Sequence, residues 1–448
     1  MLPAVPRSGR ARAYSQSTHL RSAAGSKDIM IFMDGTGKDG RIDPVGDYNP
    51  PTNVWRLYKL VETVPKERFK RKRACLYIPG IGSARNDFAI KRWLIQVYGS
   101  RIVDQVMEAW DYIYINYRPG DRIYLFGYSR GAFAARKVAS LLNRLGLSDA
   151  GRNFLQKWRQ CERPLPWIPE LTPSNPIPVE CIGVWDTVGA VYSPVFRLKQ
   201  NIIGTSDNEL PSNVRRALHA LAFHENRMRF RVNLFEGCGE GILLKQVWFP
   251  GSHSDVGGGG KEPDLPSISL LWLLGELKPH VDIDDSKMLY PDIKRLKPSD
   301  AYHESKWKRL IDQCETRLDS NALRKNDLVH VSVREVDEGN RRVGKKYSLL
   351  NVLDLEFLRL QTAALNQLER ELSRTRLRTT SQVLIGRIKN QLRDRLASLP
   401  SVGSQRRRLN SDTGIRTRPS PTTNQHPEWR RAIYKNDSPD ISTIQWVQ

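Results

Sequence analysis

IYLFGYSRGAFAAR occupies residues 123–136 and decides the fold of this chain. An apolar run ends in Gly-Tyr-Ser-Arg-Gly and passes directly into an alanine-rich segment, which predicts a strand, a tight turn and a helix, with Ser129 in the turn. This is the pattern of a nucleophile elbow, in which a strained turn exposes a serine hydroxyl above the sheet. Gly127 and Gly131 leave room for that turn and for the close approach of helix and strand. We therefore predict that Ser129 is a catalytic nucleophile, with an ordinary glycine-rich turn as the alternative.

Segments of alternating strand and helix character surround the elbow. Apolar strands are predicted at 28–33, 74–78, 178–185 and 243–249. Amphipathic helical segments separate the first three of them, one beginning at Thr52 and Asn53 and another passing through Ile102 and Trp110. This alternation implies right-handed crossovers and a mostly parallel sheet with helices on both faces. The predicted fold class is therefore α/β, with an α/β-hydrolase-like sheet.

An acid and a histidine follow the elbow in the chain order Ser, Asp, His. Asp186 stands at the carboxyl end of the predicted strand 178–185, and His253 lies on the glycine-rich loop 250–260 after the strand 243–249. The carboxyl ends of parallel strands meet at one rim of a sheet, where active sites of such folds lie. We predict that His253 is the general base and that Asp186 orients it, with a strand-end cap as the alternative role of Asp186.

Other histidines are less well placed. His330, in the strand-like segment 328–333, is the rival candidate for the base. His219 and His224 fall within 212–229, for which we predict a helix, and they are assigned structural or surface roles.

The loop after the first strand begins with Asp34-Gly35-Thr36. Hydrolases of this architecture bind the oxyanion with the N–H that follows the nucleophile and with one from an upstream loop. The predicted donors are therefore Arg130 and either Gly35 or Thr36, unless the loop is an ordinary turn. The acidic stretch 34–47 raises the alternative of calcium, but its spacing does not match an EF-hand loop. We predict neither a metal nor a cofactor.

Composition bounds the organisation and the partners. The chain has 448 residues and a net charge of +23, which favours anionic partners such as phospholipid headgroups, nucleic acid or acidic proteins.

No apolar run reaches the ~20 residues of a membrane span, and 268–277 is predicted to be a buried helix. Because 1–27 lacks the apolar region of a secretory signal, we predict a cytoplasmic protein, with export by a signal-independent secretion system as an open alternative. The predicted domains are a disordered basic leader at 1–27, with a transit peptide as its alternative, a catalytic domain at 28–352, a basic amphipathic helical extension at 353–400 and a mostly disordered basic tail at 401–448.

The predicted extension combines an apolar series at helical spacing, beginning at Leu353, with an arginine-rich face. Helices of this kind either pack against the domain or a partner, or lie on an anionic membrane surface. Its basic residues include Arg370, Arg374, Arg376, Arg378, Arg387, Arg393 and Arg395.

Several motifs in order resemble one family. They are FMDGT at 32–36, TNVWRL at 52–57, GYSRGAF at 127–133, CIGVWDTVG at 181–189, WFPGSHSDVGGGG at 248–260 and HVSVR at 330–334. Together they resemble the α/β-hydrolase domain of type VI secretion phospholipase effectors and their bacterial and fungal relatives, over roughly residues 28–352. The resemblance implies a serine lipase or phospholipase, with Ser129, Asp186 and His253 at the family's motif positions. One departure is FHENR at 223–227, where relatives usually have LDERR.

Two classes of function are therefore carried forward. The first is a serine hydrolase of carboxylic esters, in particular of lipids. The second is a non-catalytic binding protein, whose degenerate hydrolase domain presents basic helices to membrane or nucleic acid. All three triad residue types are present, which argues against degeneration, and neither RNP-type aromatics nor a helix-turn-helix pattern is evident, which argues against nucleic acid.

Overall fold

The computed structural model describes residues 25–41, 50–65, 67, 71–81, 90–160, 176–189, 206–237, 239–260, 264–304, 312–336, 359–377 and 382. They all belong to one compact unit, 1–384. The predicted basic tail lies outside the described residues, as do 1–24 of the predicted leader, 42–49 of the acidic loop and most of 378–400.

The described residues contain eight strands and, besides short 3-10 turns, eight α-helices with at least four described residues. The strands are β1 (Lys27–Met33), β2 (Lys72–Ile78), β3 (Arg122–Tyr128), β4 (Val179–Trp185), β5 (Arg216–Ala222), β6 (Leu243–Phe249), β7 (Leu328–His330) and β8 (Gln361–Ala363). The helices are α1 (Asn53–Glu62), α2 (Ile90–Asn116), α3 (Arg130–Arg144), α4 (Asp149–Gln160), α5 (His253–Gly257), α6 (Leu265–Leu277), α7 (Ser332–Glu335) and α8 (367–377).

The strands pair in the order β2-β1-β3-β4-β5-β6-β7-β8, and every pair is parallel. The predicted α/β class with an α/β-hydrolase-like parallel sheet is therefore confirmed. The chain first moves outward from β1 to β2 and then returns to place β3 on the other side of β1. Loops that leave β1 and β3 consequently diverge at the carboxyl edge of the sheet, and such a switch point opens a crevice for a ligand.

The sequence of β1 explains why the sheet is covered on both sides. Ile29 and Ile31 pack in a core cluster with residues of α2 and α3, whereas Met30 and Phe32 pack in a second cluster with residues of α1 and α6. Successive side chains of a strand point to opposite faces, so a run that is apolar at every position needs a helical layer on each face.

The helix predicted over 212–229 is wrong, because β5 occupies Arg216–Ala222. The sequence of β5 is rich in alanine and leucine, which favour helices in isolation, but six of its seven residues are buried between β4 and β6. Burial and pairing at the centre of a sheet outweigh an intrinsic preference worth less than about 1 kcal/mol per residue. His219 is a buried residue of this strand, not a surface residue of a helix.

The helical series predicted from Leu353 is also corrected. Gln361–Ala363 form β8, which pairs with β7 and completes the sheet. The helix α8 follows it, and its Leu368 is buried in the same core cluster as α6. Arg376 of α8 is paired with Asp292 at 2.7 Å. The described part of the predicted extension therefore packs against the hydrolase domain.

The apolar segment 268–277 is part of the buried helix α6, as predicted. Of the helices within the described residues, none combines the length and the apolar character that crossing a membrane requires.

Candidate active site

Ser129 lies between β3 and α3 in a strained backbone conformation. Its φ is 58° and its ψ is −118°, a region of positive φ that side chains other than glycine's rarely occupy. A Cβ atom on Gly127 would come within 2.5 Å of the carbonyl oxygen of Gly131, and one on Gly131 within 2.2 Å of the carbonyl oxygen of Met33. The Ser129 N–H donates to the carbonyl of Trp185 at 3.0 Å. The strained turn expected from the sequence is present, held between the ends of β1 and β4.

Asp186 and His253 form a buried hydrogen-bonded pair on the same rim. Asp186 follows β4, has a φ of 38° and is 0% exposed. Its Oδ2 lies 2.6 Å from Nδ1 of His253. With Nδ1 bonded to the carboxylate, Nε2 is the ring nitrogen available to a nucleophile or substrate. The Ser129 hydroxyl forms no hydrogen bond with His253 within the described part of the chain, and such contacts are commonly loose in the absence of substrate.

Two aromatic rings hold the imidazole of His253. The ring of Tyr128 stacks on it with centroids 4.7 Å apart, and the ring of Phe230 packs edge-on at 4.9 Å. The Tyr128 hydroxyl also donates to the His253 carbonyl at 3.2 Å. Because Tyr128 directly precedes Ser129, this stacking links the elbow to the histidine.

His253 is the first residue of the short helix α5, where the sequence led us to expect a flexible loop. Ser252 caps this helix, and Asp255 completes a capping box with it. The His253 N–H donates to the Glu225 carboxylate at 2.9 Å. A capped helical turn restricts the imidazole more than a glycine-rich loop would, because its backbone is hydrogen-bonded.

Burial lowers the pKa of His253 below its usual range, against the opposing effect of the Asp186 carboxylate. The neutral imidazole, which can accept a proton, is therefore favoured near neutral pH. Burial alone would raise the pKa of Asp186, but the Arg317 guanidinium and the bond to His253 hold it below its usual value. Asp186 remains an anion beside a neutral base.

Two residues that surround the pair were not found from the sequence. The Arg317 guanidinium lies 3.0 Å from Oδ1 and 2.9 Å from Oδ2 of Asp186. Glu225 is 0% exposed, and its carboxylate accepts hydrogen bonds from the Arg227 side chain and from the backbone N–H of His253. Residues 223–227 depart from the family's motif, so the resemblance assigned no role to Glu225, and no local pattern distinguishes Arg317 from the other arginines of this basic chain.

Asp34 organises the loop after β1. Its buried carboxylate accepts hydrogen bonds from the hydroxyls of Thr52 and Tyr77 and from the Gly35 N–H, each at 2.7 Å. Burial raises the pKa of Asp34 to about 6, although these three donors favour the ionised form. The loop therefore has one preferred conformation, set by a carboxylate that the sequence identified only as part of a turn.

This conformation distinguishes between the predicted oxyanion donors. The Gly35 N–H donates to the Asp34 carboxylate at 2.7 Å, which favours Thr36 in the loop and Arg130 after Ser129 as the candidate donors. Gly35 still lies against Ser129, because a Cβ atom on Gly35 would be 3.2 Å from Cβ of Ser129. The Arg130 side chain donates to the Thr36 hydroxyl at 2.7 Å and joins the two segments.

The rival base His330 lies in a separate polar cluster. Its Nδ1 is 2.7 Å from the Ser332 hydroxyl, and its Nε2 is 3.1 Å from the Glu369 carboxylate. All three residues are 0% exposed. This arrangement has the residue types of a catalytic triad but lies within the core, where it joins β7 to α8.

The two histidines to which the sequence assigned structural or surface roles, His219 and His224, are both buried. Nε2 of His219 accepts from the Thr187 N–H at 3.2 Å, and Nδ1 of His224 accepts from the Gly251 N–H at 2.8 Å. Burial lowers the pKa of His219 to about 3 and that of His224 to about 4, so both are neutral at neutral pH. Within the described residues, no group of three or more His, Cys, Asp or Glu side chains could hold a metal ion.

The parallel sheet and the elbow at its switch point define an α/β-hydrolase-like protein. Residues 27–164 and 169–276 match the family described as the catalytic domain of Tle1-like phospholipase effectors of the type VI secretion system. The match covers more than half of the chain, so the protein belongs to this family.

A curated relative is the uncharacterized protein YEL023C of Saccharomyces cerevisiae, which is 30% identical over 168 residues. This similarity covers 35% of the present chain and 23% of the yeast protein, so the chain spans about a quarter of its relative's length.

Two solved structures are similar in part. An uncharacterized protein from Pseudomonas aeruginosa is 18% identical, with a TM-score of 0.31 over 55% of this chain and 44% of that chain. The Tle1 effector bound to the VgrG spike of the type VI secretion system is 21% identical, with a TM-score of 0.32 over 52% of this chain and 51% of that chain.

Proposed function

We propose that this protein is a serine hydrolase that cleaves carboxylic esters of lipids, as a lipase or phospholipase. The observation that carries the proposal is the bond of 2.6 Å between the buried Asp186 and His253, on the rim that also bears the strained Ser129. A buried carboxylate on Nδ1 of a histidine, beside a serine at an elbow, is the arrangement that activates a hydroxyl for acyl transfer.

The reaction has two halves that use the same residues. Ser129 Oγ attacks the ester carbonyl carbon while its proton passes to Nε2 of His253, and Asp186 stabilises the resulting imidazolium. The N–H groups of Arg130 and Thr36 bind the oxyanion. The intermediate then collapses, the alkoxide leaves with the proton from His253, and an acyl-enzyme remains on Ser129. Water, deprotonated by His253, attacks this ester, releases the carboxylic acid and restores the serine.

The lipid substrate rests on family membership, because the family is named for phospholipase effectors. We also propose, from the net charge of +23, that the protein works at an anionic membrane surface, which the basic residues of 378–400 contact. Arg376 of α8 contributes less to such a contact than the sequence suggested, since it is paired with Asp292. The family's link to type VI secretion supports synthesis in the cytoplasm and export that needs no signal peptide.

Fluorophosphonate labelling of the purified protein tests the proposal, because this probe reacts with activated serines. We expect Ser129→Ala to abolish labelling and to reduce ester hydrolysis by a factor of about 10⁶, as in other triads. His253→Ala should do the same. Ser332→Ala is the matched control, since Ser332 is hydrogen-bonded to His330 inside the core and is 0% exposed, and it should keep full labelling and hydrolysis.

Labelling that persists in Ser129→Ala would reject Ser129 as the nucleophile. A wild-type protein that is folded, is not labelled and hydrolyses no ester would favour the non-catalytic binding protein instead. Loss of activity in His330→Ala together with retention in His253→Ala would move the base to β7.

A further inference from the structure

Arg317 is distant from Asp186 in the sequence but contacts it directly in the structure. It lies beyond residues 27–276, within which the family match falls, and only 3% of its surface is exposed. One terminal nitrogen, Nη2, contacts both oxygens of Asp186, at 3.0 and 2.9 Å. Asp186 Oδ1 also accepts from the Ala222 N–H at 3.0 Å, and Oδ2 from His253. The cation and the imidazole therefore share one carboxylate oxygen.

The remaining nitrogens of Arg317 fix the guanidinium in place. Nε donates to the carbonyl of Ala222 at 3.1 Å, and Nη1 donates to the carbonyl of Phe230 at 2.6 Å. Ala222 ends β5, and the ring of Phe230 packs edge-on against His253. The planar fork thus joins the end of a strand, the catalytic acid and the turn that supports the histidine. A lysine in this place could not reproduce three divergent bonds.

A cation in this position also changes the electrostatics of proton transfer. Protonation of His253 is favourable beside an isolated carboxylate, because an ion pair forms. When the charge of the carboxylate is already neutralised by an arginine, the carboxylate stabilises the protonated form of His253 less. The other charged or titratable groups that face His253 or Asp186 from neighbouring elements are Tyr128, His219, Glu225 and Arg227, with Asp255 on the helix of His253 itself.

We propose that Arg317 is a positioning residue of the acyl-transfer site, which holds Asp186 in place and keeps His253 unprotonated at mildly acidic pH. The proposal rests on the proposed function, because it assigns Arg317 a role in that triad. It makes the segment around 317 part of the catalytic unit, although this segment lies outside the matched family region. A residue that only stabilised the fold would change the amount of active protein and leave its pH dependence unaltered.

The test is the rate of fluorophosphonate labelling of Ser129, measured between about pH 4 and pH 9, where the acid limb reports protonation of the base. In Arg317→Met the opposing cation is lost, so we expect this limb to move to higher pH by about one unit. Arg317→Lys keeps the positive charge but loses the planar arrangement of donors that the guanidinium provides. It should label more slowly than the wild type at every pH, with its acid limb close to the wild-type position.

Arg144→Met is the matched control. Arg144 is another buried arginine, paired with Glu209 at 2.9 Å, at the end of α3 away from Ser129. This variant should lower stability and leave the acid limb unchanged. An acid limb at the wild-type position in folded Arg317→Met overturns the proposal. If Arg317→Met does not fold, a wild-type labelling rate in Arg317→Lys overturns it instead. Failure of the wild type itself to label would reject the proposed function, so the two failures are distinguishable.

Discussion

Removal of the buried charge of Glu225 should affect both stability and activity. Glu225 is 0% exposed, and its carboxylate accepts from the Arg227 side chain at 2.7 Å through each oxygen. It also accepts from the backbone N–H groups of Asn226, Arg227 and His253. Glu225→Gln keeps the shape of the side chain but replaces one acceptor oxygen with an amide group that donates. The Arg227 cation then loses its partner, and one or more buried N–H groups lose their acceptor.

The magnitude follows from burial. Removing one partner of a buried ion pair costs about 3–5 kcal/mol, because the other charge is left without compensation. The Arg227 side chain is 11% exposed, so water compensates only part of this loss. The Glu236–Arg324 pair is the matched control, with the same chemistry at 2.8 Å but side chains about half exposed. Exposed pairs contribute about 0–1 kcal/mol, so Glu236→Gln should change little.

Urea unfolding followed by tryptophan fluorescence measures the difference. We expect the free energy of unfolding to fall by about 3 kcal/mol in Glu225→Gln and by less than about 1 kcal/mol in the control. Burial tends to raise the pKa of Glu225, but Arg227 holds it below the usual value. The wild-type advantage is therefore present at neutral pH and is lost as pH falls through the pKa of the folded protein. Equal midpoints for the two variants at neutral pH would refute the reasoning.

The double variant Glu225→Gln, Arg227→Met separates the two roles of Glu225. It should regain part of the stability, because no unpaired charge remains. Hydrolysis should stay low, since the His253 N–H still lacks its carboxylate and no guanidinium lies over the ring of Phe230, at 3.6 Å in the wild type.

Two further predictions concern the tail and acid pH. A chain ending at residue 384 keeps all eight strands and the His330–Glu369 contact, so it should hydrolyse a soluble short-chain ester normally. It should lose about tenfold or more on anionic vesicles, since each basic residue there contributes about 1 kcal/mol, and an equal loss on both substrates would reject membrane contact. Burial lowers the pKa of His224 to about 4, so the wild type should lose stability as pH falls from about 6.5 to 4, by up to about 1.4 kcal/mol per unit. His224→Asn, which can still accept from Gly251, should make the fall of the unfolding temperature over this range less steep, with the buried His219 accounting for part of the remainder. An unchanged slope would contradict the assignment.

The elements that could be predicted are those whose conformation is set by their own residues and by their neighbours along the chain. The runs of β1, β3, β4 and β6 are apolar at nearly every position, and the elbow has its two glycines because the turn leaves no space for a Cβ atom at either. Those signals do not depend on the rest of the chain. Prediction failed at β5, because its alanines and leucines favour a helix until neighbouring strands bury both of its faces. It failed at β8 as well, where three residues become a strand only by pairing with β7.

The candidate site likewise has a part that could be predicted from the sequence and a part that could not. The types and chain order of Ser129, Asp186 and His253 could be predicted because each follows an apolar strand, and parallel strands bring their carboxyl ends to one rim. The sequence by itself thus indicated a mostly parallel sheet, its carboxyl rim and three candidate residues on that rim. Only the tertiary structure decided that the Gly35 N–H is bonded to Asp34, and that Glu225 and Arg317 surround the Asp186–His253 pair. These are contacts between residues distant in sequence, and their energies depend on burial, which no local pattern encodes.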